Sequence, residues 1–176
     1  MQKLISDRFE ETRNDLMKEI TYLSDDQFNR KPDLNSWSIA QVCHHLVLVE
    51  SATIKAIAWG IKEDEKTPRE PRKIDLILDR TRKIQAPKIV EPNIEPFTVQ
   101  QIIDLLISLR EKLVAFLSAI EDESILTKTA VKHPAFGELP LNQWIELIYL
   151  HEQRHIEQIK EIKTRLGKAP EYPPNN

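Results

Sequence analysis

Residues 144–159 read Trp144-Ile-Glu-Leu-Ile-Tyr-Leu-His-Glu-Gln-Arg-His-Ile-Glu-Gln-Ile159, a stretch that contains two of the five histidines of the chain. Its apolar residues recur at steps of three and four, which predicts an amphipathic helix. His151 and His155 lie four positions apart within the apolar stripe. Four residues exceed one helical turn by about 40° and rise about 6 Å, so both imidazoles can reach one metal ion. A third ligand has to come from another part of the chain.

The composition is that of a single globular domain. With 176 residues, of which 40% are apolar, the chain can form one domain with a core, so we expect one domain over residues 1–176. The net charge of -3 disfavours nucleic acid as a partner. A single cysteine and an acidic N-terminal stretch indicate a cytoplasmic protein without a secretory signal. No apolar run approaches the roughly 20 residues that a membrane span requires, so we expect no membrane association.

Helical periodicity recurs along the chain and predicts an all-α fold, in agreement with a content of only three glycines. Capping-box patterns begin two of the predicted helices, at Ser38-x-x-Gln41 and Thr98-x-x-Gln101, and Gly167 ends the last one. The four predicted helices cover approximately residues 3–23, 38–62, 98–120 and 141–166. Amphipathic helices of this length bury their apolar stripes by packing together, so we expect a four-helix bundle.

Residues 62–96 form one long crossover connection between the second and third helices. Five prolines and many charges interrupt this segment, so no long helix can cross it, although residues 74–80 are predicted to form a short helical turn. A connection of this length suggests a functional role, such as a lid. Residues 132–140 are predicted to form a turn in which Pro140 suits the first position of the last helix, and the tail from residue 170 is predicted to be extended.

His45 is the candidate for the third ligand, because it lies on the edge of the apolar stripe of the second helix. Together with His151 and His155 it would offer three neutral imidazoles, which suit zinc or nickel. Three protein ligands leave coordination positions open for a water or a thiol, as in catalytic sites. In the alternative interpretation, these are buried histidines bonded to carbonyl groups or to Glu50 and Glu152.

Several other residues admit both a functional and a structural interpretation. Residues 151–155 match the H-E-x-x-H pattern, in which Glu152 would be the general base of a metal hydrolase, but this short pattern also arises by chance. Zinc peptidases with this pattern need a third metal ligand, and the nearest downstream candidate, Glu171, lies beyond the end of the predicted helix. Cys43 is expected to be a small buried residue and not a ligand. His133 either covers the mouth of the metal site or has only a local role in its turn.

Three segments of the chain, in order, resemble the signatures of the DinB-like metal-binding four-helix-bundle superfamily. They are residues 35–46 (NSWSIAQVCHHL), 133–144 (HPAFGELPLNQW) and 151–159 (HEQRHIEQI). The family consists of damage-inducible bundle proteins and not of the DNA polymerase that shares the name. The resemblance extends over nearly the whole chain and implies metal ligands at His45, His151 and His155. Pro140 stands where the family often has a threonine cap.

Within this superfamily the chain is most similar to the bacillithiol S-transferase-like branch. That resemblance implies a detoxifying enzyme that uses one divalent metal ion, zinc or nickel, and a low-molecular-weight thiol such as bacillithiol, mycothiol or glutathione. The metal would hold the thiol as thiolate, which would attack an electrophilic small-molecule substrate. The family also implies a homodimer. Two alternatives remain open, namely a non-catalytic metal-binding dimeric module and an H-E-x-x-H hydrolase.

Overall fold

The computed structural model describes residues 2–63, 68–81 and 85–167, with side chains from residue 6 onward, so the tail prediction lies outside the described residues. The helices and strands, in chain order, are α1 (Gln2–Ile20), α2 (Asp25–Asn29), α3 (Ile39–Lys62), α4 (Val99–Ser118), α5 (Ile125–Lys128), β1 (Ala130–His133), β2 (Gly137–Pro140) and α6 (Leu141–Gly167). Two 3₁₀ turns, Ile74–Leu78 and Lys88–Val90, lie in the crossover. None of the helices in the described ranges is long and apolar enough to cross a membrane.

The four long helices pack around a shared apolar interior, which confirms the predicted all-α four-helix bundle. Helix α6 packs against α1 and α3, and α3 also packs against α4. One half of the core surrounds Leu16 and Ile159, and the other half surrounds Ile57 and Leu113, all of which are fully buried. Each such side chain contributes about 1.5–3 kcal/mol relative to an exposed position. The apolar periodicity of the sequence therefore identifies the faces that meet.

The predicted capping boxes at the starts of α3 and α4 are both present. In the first, Gln41 donates its backbone N–H to Ser38 Oγ at 3.2 Å, and its side chain accepts the N–H of Ser38 at 3.1 Å. A third box, which the sequence analysis missed, joins Ser24 to Gln27 and starts α2. Helix α1 ends at Ile20 and not near residue 23, and α2 buries Phe28.

Residues 130–140 form a two-stranded antiparallel hairpin, where the sequence analysis expected only a turn. The register pairs Ala130 with Pro140 and His133 with Gly137, whose φ of 70° closes the turn in the left-handed region that favours glycine. Pro140 was predicted to be the first residue of the last helix. It is instead the last residue of β2, and α6 begins one position later, at Leu141. The hairpin packs so closely on α3 that a Cβ at Gly60 would lie 2.6 Å from Val131 Cγ2.

The described part of the crossover lies against the bundle and is anchored by buried side chains. Ile74 and Ile77 belong to the same apolar cluster as the start of α6, and the predicted helical turn appears there as a 3₁₀ turn. Gln143 exchanges two hydrogen bonds of 2.8 Å with the backbone of Arg72. Further along, Val90 is buried against α3. The crossover is therefore positioned to form one wall of a site between α3 and α6.

Candidate metal centre

The three histidines singled out in the sequence converge between α3 and α6. One ring nitrogen from each of His45, His151 and His155 lies within 4.8 Å of the others. The Nε2 atoms of His151 and His155 are 3.1 Å apart, because four residues on one helix bring the two rings to the same face. Helix α3 supplies the third ring, whose centroid lies 5.2 Å from that of His151 and 5.0 Å from that of His155.

Two of the three imidazoles are oriented by a hydrogen bond at Nδ1. His45 Nδ1 lies 2.7 Å from the carbonyl oxygen of Val90, in the crossover, and His155 Nδ1 lies 2.7 Å from Gln158 Oε1, one turn further along α6. Because both partners are acceptors, each Nδ1 carries the proton and donates it. The Nε2 lone pair of both rings is then free to bind a metal ion.

Burial keeps all three imidazoles neutral near pH 7, as metal binding requires. Desolvation lowers the pKa of His155 to about 3, and the neighbouring His45 adds to this effect. Desolvation also lowers the pKa of His151 well below its usual value, with His155 and His45 as further causes. The pKa of His45 is lowered by burial as well, although its bond to Val90 partly opposes the shift. The cluster therefore offers lone pairs and not positive charge.

The donor set fits a divalent zinc or nickel ion. Two imidazole nitrogens that share a tetrahedral zinc at about 2.0–2.1 Å are separated by roughly 3.3 Å. The 3.1 Å between the Nε2 atoms of His151 and His155 is close to that value. Imidazole is a common ligand of both metals, and the three residues leave at least one position for a further ligand.

A cavity of about 860 Å³ opens onto the histidine cluster. Its walls come from α3, α6, the crossover and the hairpin turn, and the lid role suggested by the length of the crossover stays a prediction. The apolar lining residues include Trp37, Val49, Trp144, Leu147 and Ile148. The lining also contains charged residues, among them Arg80, Arg165 and Glu161, so a small molecule held next to the three imidazoles would contact both apolar and charged groups.

Glu50 and Glu152 do not bind the histidines, which contradicts the alternative interpretation for these two residues. Both carboxylates form a buried ionic network with two arginines, and the four side chains come from the four long helices. Arg13 donates to Glu50 at 2.7 Å and to Glu152 at 2.8 Å. Arg110 donates to the same two carboxylates at 2.8 and 3.2 Å. Glu152 also accepts a bond of 2.6 Å from Thr12, so its oxygens are occupied and it is not placed as a general base.

The arginines of this network were missed in the sequence, although a signal was present. Arg13 lies on the same helical stripe as Phe9 and Leu16, and Arg110 lies between Leu106 and Leu113 at steps of four and three. Charged residues at core positions of two helices predict buried partners of opposite charge. Gln158 and Val90, by contrast, carry no sequence pattern that indicates their contacts with the histidines.

The other cysteine and histidine side chains near these helices have surroundings that differ from those of the three metal-ligand candidates. Cys43 is fully buried, and desolvation raises the pKa of its thiol, in agreement with the predicted structural role. His44 points away from the cluster, accepts the backbone N–H of Asn93 at 2.9 Å and packs on Phe97. His133 lies at the end of β1 and lines the cavity, and the interpretation that it covers the mouth of the metal site stays a prediction.

Comparison with known proteins identifies relatives by sequence. The model of the DinB superfamily matches residues 8–159. "Uncharacterized protein YuaE" of Bacillus subtilis (strain 168) is 32% identical over 161 residues, which cover 92% of this chain and 98% of that protein. "Putative metal-dependent hydrolase GK0616" of Geobacillus kaustophilus (strain HTA426) is 27% identical over 154 residues, which cover 88% of this chain and 79% of that protein.

Two solved structures share the fold at low sequence identity. YfiT from Bacillus subtilis, described as a probable metal-dependent hydrolase with an unusual four-helix bundle topology, superposes with a TM-score of 0.65. It is 20% identical, and the match covers 96% of this chain and 88% of YfiT. The four-helix bundle protein TT2238 has a TM-score of 0.61 at 16% identity, with 92% and 99% covered. Both likenesses support the four-helix architecture.

Proposed function

Because the chain belongs to the DinB superfamily, we propose that it is an enzyme that depends on one divalent metal ion held by His45, His151 and His155. The observation that carries this proposal is the convergence of three buried, neutral imidazoles next to a cavity of about 860 Å³. A purely structural histidine cluster has no need of such a cavity. A metal held by three protein ligands at its edge has room for a substrate.

The proposed reaction is the transfer of a low-molecular-weight thiol to an electrophilic small molecule. Zinc or nickel bound there would supply the acidity that keeps the thiol sulfur as a thiolate, the nucleophile of the reaction. Val90 and Gln158 hold two of the imidazoles in the tautomer that binds metal. The apolar walls around Trp37 and Ile148 would hold the electrophile and keep water away from the sulfur. A detoxifying role follows from this choice of substrates.

Hydrolysis is the second candidate, because the name of GK0616 is "Putative metal-dependent hydrolase" and YfiT is described as "a probable metal-dependent hydrolase". In that reaction a water molecule would replace the thiol as nucleophile. A hydrolase of the H-E-x-x-H type requires a free carboxylate as general base. Glu152 is bound by Arg13, Arg110 and Thr12 and is 2% exposed, which disfavours this version of the mechanism.

The test is a titration of the metal-loaded protein with thiols. The purified protein is loaded with Co²⁺, and 2-mercaptoethanol, L-cysteine and glutathione are added while the absorption spectrum is recorded. We expect one bound ion per chain and a new thiolate-to-cobalt band with at least one thiol. His151→Ala should lose stoichiometric metal, whereas the matched control His44→Ala should keep it, because His44 lies outside the cluster.

Three outcomes separate the candidates. The metal-enzyme proposal would be falsified if the wild-type protein bound no stoichiometric divalent ion. A bound ion whose spectrum no thiol changes contradicts thiol transfer and favours hydrolysis, which is then measured with p-nitrophenyl acetate. A bound ion that responds to neither thiols nor added imidazole has no open coordination position, as expected of a non-catalytic metal-binding module.

A further inference from the structure

His133 is a fourth histidine of the cavity, and the function proposed above does not use it. It is the last residue of β1 and pairs with Gly137 across the hairpin. Its ring packs edge-on against Trp144, with centroids 4.6 Å apart, and against Phe136 at 5.4 Å. The backbone N–H of Ala135 donates to its Nδ1 at 3.1 Å. The hairpin, two aromatic rings and a backbone donor therefore hold this imidazole in one orientation.

This arrangement determines which nitrogen carries the proton. Since Nδ1 accepts a hydrogen bond, the proton of the neutral ring resides on Nε2. Desolvation lowers the pKa of His133 to about 4, so the ring is neutral at pH 7. Within the described residues, His133 has no acceptor for its Nε2–H, and the residue lines the same cavity as the metal-ligand candidates. The cavity lining therefore includes a neutral N–H donor that has no acceptor among the described residues.

A purely structural role does not account for this donor. Phenylalanine would fill the same place against Trp144 without introducing a polar N–H, and the Nε2 of this half-buried histidine is not among the fully buried atoms that lack a partner, so it is accessible to a ligand. The structure does not support His133 as a fourth metal ligand either. The group of nitrogens that lie within 4.8 Å of one another contains His45, His151 and His155 but not His133. The donor is near the cluster and separate from it.

We propose that His133 is a catalytic residue that donates its Nε2–H to a carbonyl oxygen of the electrophile, and that the substrate class is an apolar molecule with a conjugated carbonyl group. The inference rests on the thiol transfer proposed above. The thiolate sulfur forms a bond to the β-carbon while the C=C π bond breaks, and the electron pair moves to the carbonyl oxygen. His133 stabilises that charge without losing its proton, and the α-carbon takes up a proton from water in exchange for the proton that the thiol released to the solvent, which completes the thioether.

The chemistry of the cavity favours this class of electrophile. A preorganised neutral donor contributes most where negative charge develops on an oxygen atom, because it stabilises the transition state more than the ground state. Apolar residues of the cavity lining, among them Trp37, Val49 and Leu147, suit the hydrocarbon body of such a molecule, and the same lining also contains charged residues such as Arg80 and Arg165. The metal-ligand candidates belong to α3 and α6 and His133 belongs to the hairpin, so different elements would supply the nucleophile and the donor.

The first experiment measures binding without reaction. N-phenylpropionamide carries the carbonyl but no double bond, and its dissociation constant with zinc-loaded protein is measured by calorimetry. We expect His133→Phe to bind about tenfold more weakly, since one hydrogen bond is lost. His133→Gln, whose amide places an N–H near the position of Nε2, should bind within about threefold of wild type. The matched control Lys132→Ala, an exposed residue of the same strand, should bind as wild type does.

The second experiment measures turnover with N-phenylacrylamide and 2-mercaptoethanol. His133→Phe should lower kcat about 100-fold, His133→Gln should recover part of this loss, and the zinc affinity should be equal in all variants. Equal amide binding by wild type and His133→Phe would overturn the donor role, and no binding by wild type would overturn the carbonyl class. Amide binding that depends on His133, together with no thiol turnover in wild type, would instead overturn the proposed thiol transfer and keep the donor.

Discussion

At the scale of single residues, the hydrogen-bond acceptors at Nδ1 of His45 and His155 are as important for metal binding as the imidazoles themselves. Gln158 Oε1 holds His155 at 2.7 Å, and the carbonyl of Val90 holds His45 at the same distance. Such partners select the tautomer and limit rotation of the ring before the metal arrives. A backbone carbonyl cannot be removed by substitution, but a glutamine can. Gln158 therefore gives experimental access to the orientation of the site.

We expect Gln158→Leu to weaken zinc binding about 10- to 100-fold, because loss of the partner of a ligating histidine has effects of this size. The affinity is measured by competition with a chromophoric chelator. Gln153→Leu makes the same replacement on α6 at a residue without a bond to the cluster, and it should bind zinc as wild type does. Equal affinities for Gln158→Leu and wild type would contradict the orienting role.

Glu152 is the residue at which the structural and catalytic interpretations of the H-E-x-x-H pattern diverge. We expect Glu152→Gln to lower the free energy of unfolding by about 3 kcal/mol, since it leaves Arg13 and Arg110 with one buried carboxylate. Zinc affinity should change little, because Glu152 does not touch the histidines. Urea denaturation and the chelator assay measure the two quantities.

The matched control for that substitution is Glu157→Gln on the same helix. Glu157 pairs only with Lys160 at the surface, and exposed pairs contribute about 0–1 kcal/mol. If Glu152→Gln abolished turnover while stability and metal binding remained intact, Glu152 would be a general base and the hydrolase candidate would be preferred.

At the scale of elements, the contact between α3 and the hairpin depends on Gly60. Alanine in a helix interior normally stabilises by about 1 kcal/mol relative to glycine. Here the new Cβ would lie 2.6 Å from Val131 Cγ2 and 3.1 Å from Leu141 Cδ2, and overpacking costs about 1–3 kcal/mol. The steric term exceeds the propensity term, so we expect Gly60→Ala to destabilise the protein in urea denaturation.

Two further variants test this explanation. Val131→Ala removes the obstructing methyl groups, so the double variant with Gly60→Ala should be more stable than the sum of the two single effects. Gly167→Ala is the control, because no atom of residues 2–63, 68–81 or 85–167 lies within 4 Å of the position of its Cβ in the way that Val131 does at Gly60. A stabilising effect of Gly60→Ala alone would mean that the hairpin moves away from α3 at little cost.

At the scale of the whole molecule, the candidate metal site and the ionic network both connect α3 to α6. The histidines join α3 to α6, and the network of Glu50, Glu152, Arg13 and Arg110 joins these two helices to α1 and α4. A ligand that binds only the folded state raises the stability of the entire domain. Metal binding should therefore be visible in global unfolding.

We expect zinc at 100 times its dissociation constant to stabilise the protein by about 2.7 kcal/mol, which raises Tm by roughly 5–10 °C for a chain of this size. Differential scanning calorimetry with zinc and with EDTA measures the shift. His151→Ala should unfold at the same temperature under both conditions. A zinc-dependent shift that persists in His151→Ala would mean that the ion binds outside the three-histidine cluster.

The sequence by itself determined the helical bundle and the three ligand candidates. Helical periodicity, capping boxes such as Ser38–Gln41 and the spacing of His151 and His155 depend on residues only three or four positions apart. Local chemistry of this kind can be recognised from neighbours along the chain. The assignment of His45 to the same site came from its helical stripe and from the family resemblance.

Only the tertiary structure decided how these parts meet. The carbonyl of Val90 lies 45 positions from His45, and Arg13 reaches Glu152 across 139 positions, so no local pattern predicts either contact. The hairpin of residues 130–140 acquires its place by packing on α3 near Gly60, and it brings His133 to the cavity. Periodicity indicates which face of a helix is buried. Which buried faces share a site depends on packing geometry, because contacts between distant residues form only in the folded chain.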